Sequence, residues 1–537
     1  MTLDLMIRGG RIIDGSGNPW FRADIGVLRG KIEKIGDLSE EKTTEVINAN
    51  ELVVTPGFID MHTHSDSKLL VNPLAESKIR QGVTTEVIGN CGSSLAPLNE
   101  FTREENRKRL GEEANSIKWD WLSFENFLRK MEKMGTAVNV VPLVGNATIR
   151  TMVMSYDRRR PSRSELEKMK MLTAQCMEEG AFGLSTGLIY SPSGFAQTQE
   201  IIELCKVVAE YGGFYATHIR GEGQTLVKSV QEAITIGARA GLPVEISHHK
   251  ASGKKNWGRI DETLRMIHDA RRKNGVDVTC DVYPYIAGAT GLSAGIPPWA
   301  HEGGMERLLE RLRNEKTRAT IKREMKRGIT GWENLVTEAG PENVIITSAE
   351  KNRKYQGKTI AQLARATRKD SIEFIFDLLL AEKGNVGIVL FIMREQDMMR
   401  VLSDTISMIG SDASSMAPYG LLGKGKPHPR AYGTFPRVLG RYVRDKKLLT
   451  LPEAIRKMTT LPAQKLGLWN RSNVRPGSWA DLVVFDEGRI ADAATYTDPN
   501  RYPVGISYVI VNGKTVIRKG KHTGALPGKV LRKNSYS

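Results

Sequence analysis

The chain has 537 residues, 40% of them hydrophobic and 26% charged, which predicts an ordinary water-facing globular protein long enough for more than one domain. Apolar runs such as Val386 to Met393 are far too short to cross a bilayer, and Met1-Thr2-Leu3-Asp4-Leu5-Met6-Ile7-Arg8 lacks the basic and apolar regions of a signal peptide. The net charge of +17 is scattered among acids, in short runs such as Arg158-Arg159-Arg160, which argues for a solvated surface and against a nucleic-acid binder.

In chain order, residues 1–55 read as short strands joined by Gly-rich turns: Leu5–Ile7, Arg11–Ile13, Ala23–Leu28, Lys31–Ile35 and Glu45–Asn48. The C-terminus repeats this style at Asp481–Asp486, Tyr508–Val511 and Lys514–Arg518. Neither end has enough strands for a stable sheet, so the two are expected to pair into one small β-sandwich domain, 1–55 plus 475–537. Between them, apolar strands alternate with amphipathic helices, the signature of βαβ units and a parallel sheet. Strand ends fall at His64, Cys91, Gly145, Leu188, His218, His248, Tyr283 and Asp412. Helices are expected at Glu76–Gln81, Phe124–Met134, Arg163–Glu179, Thr198–Tyr211, Gln224–Ala240 and Ile260–Asn274. Eight strand ends suit an α/β fold, a TIM-like (β/α)₈ barrel over 56–474. The spacing fails once, between strands 7 and 8, where an insertion at about 290–400 carries helices Met305–Lys326, Thr359–Ala366 and Ser371–Ala381 and strands Val344–Thr347 and Val386–Phe391. At the top of a barrel such an insertion is placed to serve as a lid.

The strand ends carry the chemistry. His62 and His64 in Gly57-Phe58-Ile59-Asp60-Met61-His62-Thr63-His64 lie two residues apart, so an extended chain turns both to one face with Asp60 beside them. The second strand ends in Cys91, the fifth in His218, the sixth in His248 and the eighth in Asp412, and five of the nine histidines fall in these motifs. In a barrel these ends open onto one mouth, so residues far apart in sequence become neighbours. Imidazole nitrogen and thiolate suit Zn²⁺, and a carboxylate beside the reacting water, the place of Asp412, suits a proton shuttle. Asp60 is left open as a metal ligand, a partner that orients a ligand histidine, or a buried polar group. His249 is expected to face the strand–helix interface, unless a one-residue slip exchanges it with His248. His268, His301 and His522 read as ordinary histidines, and Cys176, Cys205 and Cys280 as core. Four cysteines without CxxC spacing fit a reduced, cytoplasmic setting.

The chain resembles the amidohydrolase superfamily, and within it the N-acyl-D-amino-acid deacylase (D-aminoacylase) family. The resemblance rests on Ile7-Arg8-Gly9-Gly10-Arg11-Ile12-Ile13-Asp14-Gly15, the Pro56–His64 segment, Gly89-Asn90-Cys91-Gly92, Gly183–Tyr190, His218-Ile219-Arg220-Gly221-Glu222, Ser247-His248-His249-Lys250 and His428–Arg437. It implies a metallohydrolase barrel with one tight zinc held by Cys91, His218 and His248, and a second, weaker position at His62 and His64 that Cys91 can bridge. It also implies Asp412 as catalytic acid/base, and Tyr190, Lys250, Tyr283 and Arg430 as groups that bind the substrate, chiefly its carboxylate. The expected partner is a small N-acyl amino acid, with no membrane or nucleic acid involved and a homo-oligomer left open. Two rivals remain: a cyclic amidase of the hydantoinase or dihydroorotase kind on the same scaffold, and a catalytically inactive scaffold protein.

Overall fold

A computed structural model describes residues 2–533. Runs such as Val83–Ile88 and Val278–Val282 are buried at every position, as strands of a parallel sheet covered on both faces must be. Eight such positions pair side by side, all parallel: Phe58–Asp60, Val83–Ile88, Asn139–Pro142 continued by Val144–Gly145, Gly183–Gly187, Phe214–His218, Val244–Ile246, Val278–Val282 and Ser407–Ile409. The third is interrupted at Leu143, whose N–H donates to Ile88 (3.0 Å), while Phe182 N–H donates to Pro142 (2.9 Å). Met61 N–H to Ile409 O (3.4 Å) and Asp412 N–H to His62 O (2.8 Å) join the eighth strand to the first and close the barrel.

All six expected barrel helices form, with ends shifted by at most two residues. Ser162 caps Arg163–Glu178 in a reciprocal box with Glu165, and Ser123 caps Phe124–Met134. Ile59, Met61, Val87, Val141, Leu143, Phe182, Phe214 and Met408 form one buried cluster inside the ring. Leu531 joins that cluster, because the C-terminal segment leaves the small sheet and bonds to the third strand, Val140 N–H to Lys529 O and Leu531 N–H to Val140 O.

Both chain ends share one nine-stranded sheet, joined where Val53–Pro56 pairs antiparallel with Leu482–Phe485. Leu5–Ile7 and Arg11–Ile13, expected as two strands, are one strand, Leu5–Ile12. Its register against Phe21–Leu28 shifts between Ile7 and Gly10, so Gly9 at φ 69° marks a bulge and not a turn. The sheet packs one apolar cluster of its own around Ile7, Ile25, Ile47, Val54 and Val484. We propose this sheet and the barrel as two domains, 1–55 with 475–537 and 56–474.

The insertion builds an antiparallel sheet in the order Ala287–Gly291, Val386–Phe391, Val344–Ala349, on a separate apolar cluster. Ala287–Gly291 was not expected, since Ala-Gly-Ala-Thr-Gly has weak strand propensity and is held by its neighbour. The expected helix Met305–Lys326 is two, Gly304–Arg313 and Glu315–Arg327, because Asn314 leaves the helical conformation and caps the second through Thr317 N–H (3.0 Å). Lys108 reaches Glu306 (2.8 Å) across the mouth, bringing helix Glu100–Leu110 against the insertion. Among the described residues no helix is long and apolar enough to cross a membrane.

Candidate metal centre

Four barrel strands and the turns that follow them converge on Cys91. Its Sγ lies 3.4 Å from His62 Nε2, 3.7 Å from His248 Nε2 and 3.9 Å from His218 Nδ1. A tetrahedral zinc with Zn–S about 2.3 Å and Zn–N about 2.0 Å would hold sulfur and nitrogen about 3.5 Å apart. The donors therefore stand at the edges of a zinc-sized tetrahedron. His64 Nε2 is 3.0 Å from Asp412 Oδ1, and His62 Nε2 is 3.7 Å from the same oxygen. Three overlapping donor sets result, His62–His64–Cys91, Cys91–His218–His248 and His62–His248–Asp412, with Cys91 shared by the first two. All six residues expected at the mouth from their strand ends are brought together there.

The backbone turns sharply to aim them. Cys91 (φ 51°), His248 (φ 37°) and Asp412 (φ 49°) all adopt the left-handed conformation, sparsely populated by residues with a side chain. Each ends its strand by swinging inward over the mouth. The first strand stops at Asp60, whose Oδ1 lies 3.4 Å from the His62 N–H, so the carboxylate meets the backbone of His62 and not its ring. Asp60 also accepts from Lys78 Nζ (2.7 Å) and Ser411 N–H (2.8 Å), both atoms outside the donor cluster. It is a buried polar anchor. His249 does face the helix side, with Nε2 2.8 Å from Thr263 Oγ1 on Ile260–Asn274.

Two carboxylates missed in the sequence stand behind the imidazoles. Glu222 Oε1 is 3.1 Å from His248 Nδ1 and 3.8 Å from His218 Nε2, and Asp281 Oδ2 is 3.5 Å from His62 Nδ1. Each thus faces the ring nitrogen turned away from Cys91, at hydrogen-bond distance for His248 and at the longer reach of an ion pair for His218 and His62, where an acceptor orients the ring and makes the opposite nitrogen a better donor. Asp281 also accepts from His248 N–H (2.9 Å). Their sequence signals were slight: Asp281 lies two residues before a strand end, and Glu222 closes the motif His218-Ile219-Arg220-Gly221-Glu222 one turn past another.

The electrostatics suit an anionic sulfur and an ionised acid. Burial opposes ionisation of Cys91, but the His62 charge and hydrogen bonds from His218 and His248 outweigh it and hold the thiol well below its ordinary range. Burial likewise opposes ionisation of Asp412, and Arg430, 2.8 Å away, with His248 and His64 holds it well below the usual carboxylate range. Glu222 is depressed against burial chiefly by Lys250.

A cavity of about 1530 Å³ opens over the cluster, between the insertion and residues 102–113. Arg430 lies within it, its guanidinium 4.5 Å from the centre of the Tyr283 ring, and its buried Nε has no hydrogen-bond partner among the described residues. Tyr190 stacks edge-on to His218 and bonds Thr290 Oγ1 (3.0 Å), while Tyr283 OH reaches Met393 Sδ (3.8 Å). Lys250 turns to Glu222 and to His248 Nδ1 (2.7 Å), so its charge lies behind the histidine.

Residues 45–517 match the amidohydrolase family. The chain is 38% identical to the D-aminoacylase of Alcaligenes xylosoxydans xylosoxydans and 35% identical to its N-acyl-D-glutamate deacylase, over 99% of this chain and 98% and 97% of theirs. Among solved structures it matches one of D-aminoacylase, described with a binuclear metal centre, at TM-score 0.83 and 37% identity, covering 99% of this chain and all of that one. The N-acyl-D-glutamate deacylase of Bordetella bronchiseptica, solved with zinc and a phosphonate inhibitor, matches at TM-score 0.83 and 33% identity over the same shares. A D-hydantoinase at 16% identity and TM-score 0.54 shares the fold alone. With its barrel closed, its donors gathered at the mouth and these relatives alike over nearly their whole length, the chain belongs to the amidohydrolase family.

Proposed function

We propose that the protein is a zinc-dependent deacylase that hydrolyses the linear amide of N-acyl-D-amino acids to a carboxylate and a free D-amino acid. One observation carries this reading: a depressed thiol with three imidazoles at zinc spacing, beside an ionised Asp412 paired to Arg430. Cys91, His218 and His248 would hold the tight zinc, and His62 and His64 with Cys91 the weaker one. Bound zinc would polarise the scissile carbonyl and ease deprotonation of water. Asp412, already ionised, takes that proton on its carboxylate and returns it to the departing amine nitrogen. Arg430 binds the substrate carboxylate through its free Nε, held flat against Tyr283 as its planar fork requires. Tyr190 and Tyr283 wall the same space, and Lys250 acts from behind His248 through Glu222. The D-preference follows the names of the relatives, since no contact in the site bears on handedness.

A bridging carbamylated lysine of the cyclic-amidase kind has no candidate in the fourth strand, Gly183–Gly187. An inactive scaffold would not be expected to keep every donor, and all are in place. Four unpaired cysteines support a reducing, cytoplasmic setting. The test is release of amine from N-acetyl-D- and N-acetyl-L-methionine by zinc-loaded protein. Cleavage of the D-form alone supports the proposal. Cleavage of the L-form alone, or of hydantoins and neither linear amide, overturns it.

A further inference from the structure

Glu333 belongs to the insertion, one residue before the cap Asn334 of helix Leu335–Ala339, yet its carboxylate is gripped by the loop after the fifth barrel strand. Oε2 accepts from the backbone N–H of Glu222 and of Gly223, each at 2.8 Å. Oε1 accepts from the Thr225 N–H (2.8 Å) and the Thr225 hydroxyl (2.7 Å). Three converging backbone N–H groups form a fixed-dipole cradle for an anion, and a carboxylate from another part of the chain fills it. The local sequence Gly221-Glu222-Gly223 is what lets the cradle close. A Cβ at Gly221 would stand 1.9 Å from Thr225 Oγ1 and 2.7 Å from Glu333 Oε1, and one at Gly223 would stand 3.2 Å from Oε2.

The residue between those glycines faces the opposite way. While its N–H is bound to Glu333, the Glu222 side chain runs to His248 Nδ1, His218 Nε2 and Lys250 Nζ. Its carbonyl is tied to Ser252 N–H (2.8 Å), just past Lys250. Glu222 therefore has one rigid attachment to the insertion and one to the sixth strand's loop.

We propose that Glu333 is a positioning residue for the metal centre: the insertion's carboxylate pins the 221–225 loop and so holds Glu222 against His218 and His248. The inference rests on the reading of those histidines, with Cys91, as zinc ligands. It makes the seating of the insertion and the affinity for zinc a single coupled quantity. Loss of a carboxylate that orients ligand histidines weakens metal binding by about 10- to 100-fold, so loosening its anchor should act in the same range.

The experiment is chelator competition for zinc on the full chain, wild type beside Glu333→Ala, Glu333→Gln and Glu222→Gln, with urea unfolding of each apoprotein. Glu333→Ala is expected to weaken zinc about 10- to 100-fold, and high formate to restore part of that loss by refilling the cradle. Glu333→Gln keeps the shape but sets an amide NH₂ against a backbone donor, and should fall between the two. Glu222→Gln should weaken zinc without formate rescue, since its defect lies beyond the cradle. A merely structural Glu333 would lower the urea midpoint and leave the zinc constant of the folded protein unchanged. Wild-type affinity in both Glu333 variants therefore overturns the inference alone. A wild type without tight zinc overturns the ligand reading, and this inference with it.

Discussion

Asp412→Asn keeps the shape of the side chain and removes one charge, so it separates proton transfer from geometry. The carboxylate stands 2.8 Å from Arg430, which is 3% exposed and has this as its ion pair. At an effective dielectric of about 20, two unit charges at that distance attract by about 6 kcal/mol. Breaking a buried pair from one side costs less than the gross attraction, about 3–5 kcal/mol, because the remaining charge finds partial compensation. The free variant should therefore lose about 3–5 kcal/mol of stability in urea. Removing the general base should lower kcat by about 10²- to 10⁴-fold, or about 3–5 kcal/mol in the barrier. Zinc should stay bound, because Cys91, His62, His218 and His248 are untouched. The assay is kcat and KM on N-acetyl-D-methionine with zinc measured on the same samples. A variant with full zinc and a kcat within tenfold of wild type refutes the proton-shuttle assignment.

Cys91→Ala removes the one sulfur donor, which belongs to both cysteine-containing ligand sets, and should abolish tight zinc, read as metal content after dialysis; retention of one equivalent would show that the imidazoles suffice. Arg430→Lys keeps the charge but gives up the planar stack on Tyr283 and the second donor, and should raise KM by about tenfold with a smaller change in kcat; an unchanged KM would place the substrate carboxylate elsewhere. Burial pushes the Glu86 carboxyl up from 4.5 to about 7, against the pull of Lys78 and Ser65. A pKa raised by folding means that its stabilising contribution is complete below about pH 4.5 and is lost as pH rises to 7, a swing of about 3 kcal/mol. Relative to Glu86→Gln, the wild type should lose about 3 kcal/mol between pH 4 and 8 in urea unfolding, and a constant difference between the two would refute it.

The barrel was legible because short β-prone segments alternate with amphipathic helices, and five of the eight strands lead into a histidine, cysteine or aspartate, as Val83–Ile88 does before Cys91. Those features are local. The readings that changed depend on partners distant in the chain. The sequence leaves Asp60 open between metal ligand, orienting partner and buried polar group, and what decides for the last is Lys78 and Ser411, which hold its carboxylate and are not visible from the motif. The Gly9-Gly10 pair reads as a turn until Phe21–Leu28 is laid beside it and makes it a bulge. Asn314 divides the expected helix Met305–Lys326, and apolar spacing that continues on both sides of it hides the break. Glu222 closes a motif in which it had no role assigned, and Asp281 and Glu333 fall in none; their roles exist only once the first, fifth, sixth and seventh strands and the insertion are brought together.

The left-handed backbone at Cys91, His248 and Asp412 sets stability and chemistry against each other. Each such residue costs of order 1 kcal/mol or more, a cost that glycine would escape. Random drift filtered only for folding would therefore carry Cys91 and His248 toward glycine, whereas at Asp412 the buried pair with Arg430 outweighs the strain. The apoprotein would gain robustness as the donors disappeared. A library of this chain sorted for heat resistance without substrate should enrich inactive clones at Cys91 and His248 but not at Asp412, whereas zinc in the medium should hold the native residues in place by rewarding the fold that binds it.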